Sequence, residues 1–502
     1  MNFLRTTLTV CGAAAVFAAI TPFCSAHTYY VDVNGNDGNS GTLSSPVATL
    51  DQAVYKVSQD YASGAPSGGD TININGNGEH YHLNWAGGGN TPQGYPTTIN
   101  TNAPSNAPII IQTTPGQSAA ILDGGWALGA GGGNWQGTDD NIDINGTYIT
   151  VQNLTIENAS VGNIVIPNGS YDTINNCTIA GAGWVGAQIG STASTHQLQH
   201  DAILNSTIHD NNEINTNGNG PNWAGSLVLS NCTNCNLQYN IVYHNWGEGL
   251  GMYTFGQTTA YNYVDDNTVY DNWSVNIYIA DSSYNYIWNN LVYSDSNAIL
   301  RPLANGISFP AIGIASDNEN PNVIAYGSEI FNNIVIGGQS AFRAANQNTV
   351  SGFYPGGLNG YNIYNNVFFD TSPQNTPSVN PACIQVDNDP NNNFTWENNI
   401  VWETNGLASV ATDGGGGTQV KATNIWDGTG GFNMNGSSDI LLWNSNPGFV
   451  SAGSFSAPSY ALATTSPYLN RGTNAYSILT FDYNWNARSS SGAWNLGAWA
   501  NP

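Results

Sequence analysis

A short signature that returns nine times restricts the fold of this chain more than any other feature. It is asparagine, two residues that are mostly apolar or threonine, then an apolar or aromatic residue. It starts at Asn153 (NLTI), Asn176 (NCTI), Asn205 (NSTI), Asn240 (NIVY), Asn267 (NTVY), Asn290 (NLVY), Asn333 (NIVI), Asn366 (NVFF) and Asn399 (NIVW). The intervals are 23, 29, 35, 27, 23, 43, 33 and 33 residues. Self-similarity at about 20–50 residues marks a solenoid. Within each unit, β-favouring runs of about four to six residues are broken by Asn, Gly and Asp, and helical spacing is absent. Such a unit fits one coil of a right-handed parallel β-helix with three short strands. Asparagines stacked at an inward bend would hydrogen-bond from coil to coil and satisfy polar groups that are otherwise buried unpaired. The 35- and 43-residue intervals predict the largest loops, near 214–226 and 301–325, where a rigid stack usually carries its groove.

An open stack exposes sheet edges, so both ends need covers. Ser45–Val57 carries Leu50, Ala53, Val54 and Val57 at helical spacing and predicts a cap helix over about 45–57. Before it, Arg5, a short apolar run and small residues ending at Ala26 predict a secretory signal peptide over 1–26, with the cut after Ala26. The parallel β-helix is expected over 27–443, and a segment without the repeat, 444–502, closes the chain as a C-terminal cap.

Two stretches carry a resemblance. YYVDVNGNDGNSGTLSSPVATLDQAV near the start, and SPYLNRG with FDYNWNARSSSGAWNLGAW near the end, resemble the opening and closing segments of secreted right-handed β-helix proteins of the pectate-lyase-like superfamily. With the asparagine repeats, the resemblance spans nearly the whole mature chain. It implies the fold. For activity it implies polysaccharide lyases, glycoside hydrolases and non-catalytic surface proteins alike, and it assigns no functional residue.

Charge narrows the partners. Lys and Arg total 7 against 33 Asp and Glu, a formal net charge of −26. That surface repels nucleic acid and anionic membranes, which are gripped through clustered cations. After the leader, nothing approaches the ~18 apolar residues of a membrane span. A secreted monomer acting on a polysaccharide is the expectation. Cys177, Cys232, Cys235 and Cys383 remain after the leader is removed. With no second ligand pair near NCTNC, they predict one or two disulfides rather than zinc.

The candidate chemistry lies where neighbouring coils almost repeat, in NSTIHDNNE, NIVYHNWGE and NTVYDNWSV. Aligned on their asparagines, they superpose His209, His244 and Asp271, and they stack Glu213 on Glu248. Coils ~4.8 Å apart would couple two such carboxylates and raise one pKa, leaving an acid beside an ionised base. Glycoside hydrolysis needs that pair. Glu248, Asp271, Glu213 and Asp281 are therefore the candidate catalytic carboxylates, with Trp246 and Trp273 as flat faces for sugar rings. His244, His209, Arg301 and Arg343 are further candidate substrate contacts. Hydrolysis requires no cofactor and no metal. β-Elimination of a uronate glycan, the rival, needs a base and a cation such as Ca2+, and only Arg301 and Arg343 are suitably placed. The clusters VDVNGNDGN and VDNDPNNN offer oxygen ligands for a structural Ca2+, but they lack a complete calcium loop and read first as turns. A non-catalytic glycan-binding β-helix is the third reading.

Overall fold

The computed structural model describes residues 25–500 except 65, 84–95, 127–139, 192–193, 195, 218–223, 296, 298, 300–311, 319–323, 347–356, 370–381, 388–390, 405–408, 429, 444, 476 and 478. The signal peptide therefore lies almost wholly outside the described residues, and Arg301 does so entirely.

Each unit contributes three short strands, and successive units pair in parallel, building sheets of 14, 13 and 12 strands. We number these sheets I, II and III in the order in which the chain visits them. One coil runs from Asn236–Gln238 in sheet I through Ile241–Tyr243 in sheet II to Glu248–Tyr253 in sheet III. The stack is a parallel β-helix, right-handed as parallel crossovers are. Inward residues such as Ile203, Leu237, Val264 and Ile287 of sheet I join Ile208, Val242 and Val269 of sheet II and Leu227, Leu250 and Ile277 of sheet III in one continuous core.

The corner between sheets I and II is nearly constant, two residues in most coils. Its first residue takes a left-handed conformation, as at Asn289, Asn332 and Asn365, which asparagine tolerates better than most side chains. Its second is an inward asparagine. Asn240, Asn267, Asn290, Asn333, Asn366, Asn399 and Asn424 form a ladder. From Asn267 on, each Oδ1 accepts from the amide and side-chain nitrogens of the asparagine one coil earlier, at 2.9–3.1 Å. Asn163, Asn211, Asn245, Asn272 and Asn276 build a second ladder at the corner between sheets II and III.

The first three signature asparagines stand elsewhere. Asn153, Asn176 and Asn205 occupy the left-handed place (φ 58, 51 and 50°), and Cys177 and Ser206 hold the ladder positions, linked to Asn240. The step to the next coil therefore runs from Ser206 to Asn240, and an alignment that starts it at Asn205 slips by one residue. In a strand, such a slip exchanges the two faces.

The cap helix spans Leu50–Ser63, later than expected, because the Thr49 side chain caps it by accepting from the Gln52 amide. Its buried face is the predicted Leu50, Ala53, Val54 and Val57. At the other end, the segment after 443 lies across sheet II. Phe449, Tyr460, Leu462, Leu496 and Trp499 cover Ile334, Val367, Phe369, Ile400 and Trp402, and Arg488 reaches the corner at Asn332. The disulfide expectation is overturned. No disulfide joins the four cysteines, which are all buried and packed in the core as small side chains. The loop expected over 301–325 is also corrected, because Ile312–Asn318 and Ile324–Tyr326 are strands of sheets III and I. No described helix is long and apolar enough to cross a membrane.

Candidate functional site

Connection length singles out sheet III. The chain enters it through segments as short as 244–247 or as long as 124–141 and 294–311, and leaves it through segments such as 347–356. Long connections therefore flank this sheet on both sides, whereas the corner between sheets I and II stays tight. Its outer face also differs from the others. Alternate residues Leu250, Ile277, Ile314 and Phe342 point into the core. Between them, Val165, Val185, Val228, Tyr253, Val275, Tyr278, Ile312 and Ala315 form a separate buried cluster on the outside.

Polar groups cross this outer face in three pairs. Glu248, 2% exposed, lies opposite Gly225 of the preceding coil and accepts a hydrogen bond from the Tyr253 hydroxyl. The Tyr253 ring lies flat against the sheet over Gly251, where any Cβ would meet ring carbons at 2.3–2.5 Å. A side chain there would displace the ring. The ring also contacts Tyr278 at 5.8 Å, and the Tyr278 hydroxyl donates to Asp317 Oδ2 at 3.0 Å. In the third pair, Arg343 Nη2 lies 3.7 Å from Asp387 Oδ2, with both side chains more than a quarter exposed. The register sets Asp317 opposite Ala345. Asp387, continuing the next strand, is opposite Ala345 from the other side, its amide donating to Ala344 O at 2.9 Å. Asp317 and Asp387 thus flank a small residue from two coils apart, roughly 9–10 Å along the stack.

The expected site residues divide accordingly. Glu248, Arg343 and, at the exit corner, Asp281 belong to this face or its rim; the Asp281 amide donates to Asp317 O at 3.2 Å. Glu213 does not stack on Glu248. It opens a short 3-10 helix, Glu213–Asn217, in the connection before sheet III, and the one-residue slip had brought the two together. Burial, then the charge of Asp210, raises the Glu213 carboxyl pKa. The same slip misplaced His209, which pairs in register with Tyr243. His209 sits on the outer face of sheet II, stacked on Tyr243 at 5.1 Å and bonded to Asp210 at 2.7 Å. His244 and Asp271 do occupy equivalent left-handed corner positions (φ 50 and 54°). Asp271 is 1% exposed. One of its oxygens accepts from the Asp295 amide at 2.7 Å, and burial, reinforced by the Asp295 charge, pushes its pKa up to about 7. It supports the entry corner. Trp246 is half-buried, but Trp273 is 1% exposed and offers no face to a sugar.

Tyr253, Tyr278, Asp317 and Asp387 were missed in the sequence. A signal existed, since YIAD, IASD and IQVD each set an aspartate within one residue of the end of a strand of sheet III. It was masked because VDNDPNNN reads as a turn and the region around 317 reads as loop.

No protein-family model and no curated protein sequence matches the chain. Solved structures do. A pectate lyase, Pel9A, is similar at 17% identity over 96% of this chain and 98% of that one, with a TM-score of 0.55. A complex of XylC with xylose is similar at 10% identity over 94% and 98%, with a TM-score of 0.54. At these identities the likeness is one of fold, and on that level it agrees with the resemblance carried by the two ends of the chain.

Proposed function

We propose that this chain is a secreted polysaccharide-degrading enzyme with its reaction centre on the outer face of sheet III, and that it hydrolyses a glycosidic bond with Asp317 and Asp387. The carrying observation is the pair of aspartates either side of Ala345, on the sheet flanked by the long connections. Carboxylates set far apart, about 6.5–9.5 Å, leave room for a water on the far side of the sugar and lead to inversion. Asp317, buried and bonded to the Tyr278 hydroxyl, suits the acid that protonates the leaving oxygen. Asp387, more open and 3.7 Å from the Arg343 guanidinium, suits the base that activates water. Glu248 acts indirectly here, by fixing Tyr253, and through it Tyr278. That the two similar solved structures are named for a pectate lyase and for a complex with xylose supports a glycan substrate.

The second reading rests on Arg343. An arginine among acids on this face could hold a uronate carboxylate for β-elimination, and a Ca2+ ion, if held by Asp317 or Asp387, would supply further charge neutralisation there. Incubation with neutral and uronic polysaccharides separates the two. Hydrolysis predicts new reducing ends without absorbance near 235 nm. Asp317→Asn and Asp387→Asn are each expected to lower kcat by about 10²–10⁴-fold, and Glu248→Gln by a smaller factor. Unsaturated products would overturn hydrolysis, and full activity in either Asn variant would remove that residue from the mechanism.

A further inference from the structure

Far from this face, the first strand and the cap helix enclose a second group of ionisable side chains. Thr28–Val31 pairs in parallel with Thr71–Ile74, so His27 and Asp70 precede their strands side by side, and Asp60 projects from the last turns of the helix. His27 Nδ1 is 2.9 Å from Asp60 Oδ2, which also accepts from the Tyr29 hydroxyl at 2.5 Å. Asp70 Oδ1 accepts from the His27 nitrogen at 2.8 Å. Asp70 is fully buried, and its second oxygen accepts no hydrogen bond. Neither carboxylate has a lysine or arginine partner among the described residues. Burial, and then the facing Asp60 carboxylate, push the Asp70 pKa up to about 6. Two carboxylates and an imidazole thus converge on a place with no fixed cation.

We propose that His27, Asp60 and Asp70 bind one divalent metal ion of the zinc or copper class, clamping the first strand of the stack to the cap helix. One nitrogen and two oxygen donors suit such ions. Ligands bound at about 2.0–2.2 Å lie roughly 3–4 Å from one another, and here all three donor atoms already fall within 4.8 Å. The ion takes the place of the proton between His27 Nδ1 and Asp60 Oδ2, with the imidazole proton on Nε2. Buried Asp70 Oδ2 supplies the donor that no hydrogen bond uses. Removal of the leader after Ala26 would turn the His27 nitrogen into a free amine beside Asp70, adding a fourth donor on the same residue.

The test uses the whole protein and reads metal, not activity, so it is independent of the catalytic proposal. After treatment with chelator, the protein is titrated with Zn2+ by calorimetry and its metal content is measured. One equivalent should bind and raise Tm. His27→Ala and Asp60→Asn should each weaken binding at least about tenfold. Asp60 is only partly buried and asparagine is nearly isosteric with it, so its variant is expected to fold, which circular dichroism checks, whereas Asp70→Asn also changes a buried site. Failure of the folded wild-type protein to bind would overturn the proposal, as would unchanged affinity in both variants. Loss of binding in His80→Ala alone would do so too, by placing the ion on the other cluster of donors, His80, Asp123 and Glu157.

Discussion

Single positions in this stack are decided by what the neighbouring coil presents, and two buried aspartates show it best. Asp172 and Asp201 stand at the corner between sheets III and I. Asp172 Oδ1 accepts from the Ile149 amide at 2.8 Å and Asp201 Oδ1 from the Asp172 amide at 2.9 Å. Further along the same corner Asn262 and Asn285 do the same work. Each aspartate keeps a second oxygen that is buried without a partner, where asparagine would carry an N–H. Burial, with the Asp201 charge adding to it, pushes Asp172 up to about 9, and burial pushes Asp201 up to about 7. Both pKa values are raised above the unfolded ~3.9, so both groups fold protonated and the fold binds more protons than the unfolded chain. Their contribution is complete below about pH 4 and is lost as pH rises towards 7–9. Asp172→Asn should remove much of that loss and stabilise the protein at pH 8 by on the order of 1–3 kcal/mol. Urea unfolding at pH 5 and pH 8 measures it. An unchanged pH dependence in the variant would show that the carboxyl ionises without strain. The residue scale is also where the sequence misleads, since Asn205 and Ser206 differ by one place and that place moved Glu213 and His209 onto the wrong neighbours.

At the scale of elements, the repeat was legible because the fold imposes the same demand on every coil. A buried corner must satisfy its amides, and asparagine supplies an acceptor and two donors in one short side chain. Seven coils met that demand with the same residue, so the stack, its order and its cap helix could be read from spacing alone. The outer face of sheet III has no such repeated demand. Its outward residues answer to no neighbour that recurs from coil to coil, so Glu248 stands out only as a departure, and Asp317 and Asp387 not at all. The ladder itself is testable. Asn290 Oδ1 accepts from the amide and side chain of Asn267, while its own Nδ2 donates to Val264 O and Asn333 Oδ1. Asn290→Ala leaves a buried backbone amide unpaired and should cost about 2–4 kcal/mol. Because Asn333 is its partner, the double variant with Asn333→Ala should cost less than the two single losses added, by about 0.5–2 kcal/mol. Strict additivity would mean that the rungs act independently, each held by its own carbonyl.

The molecule as a whole carries a net charge of −26, and under the proposed function this bears on which polymer can reach the outer face of sheet III. A uronate chain approaching such a surface is repelled over roughly 30 Å at 10 mM salt and only about 10 Å at 0.1 M. A neutral glycan feels neither. If the substrate is neutral, kcat/KM should change by less than about twofold between 10 and 300 mM NaCl, because no long-range field steers the encounter. If a uronate polymer is cleaved against the global field, its kcat/KM should rise several-fold over the same range as repulsion is screened. A fall with salt on a uronate substrate would mean that attraction around Arg343 outweighs the charge of the whole protein. That outcome favours elimination over hydrolysis, since a local cation strong enough to reverse the field is also the group that would neutralise a uronate carboxylate. The salt profile therefore reads the same choice as the products do, but at the step of encounter, where all 33 acidic residues count and not only the two beside Ala345.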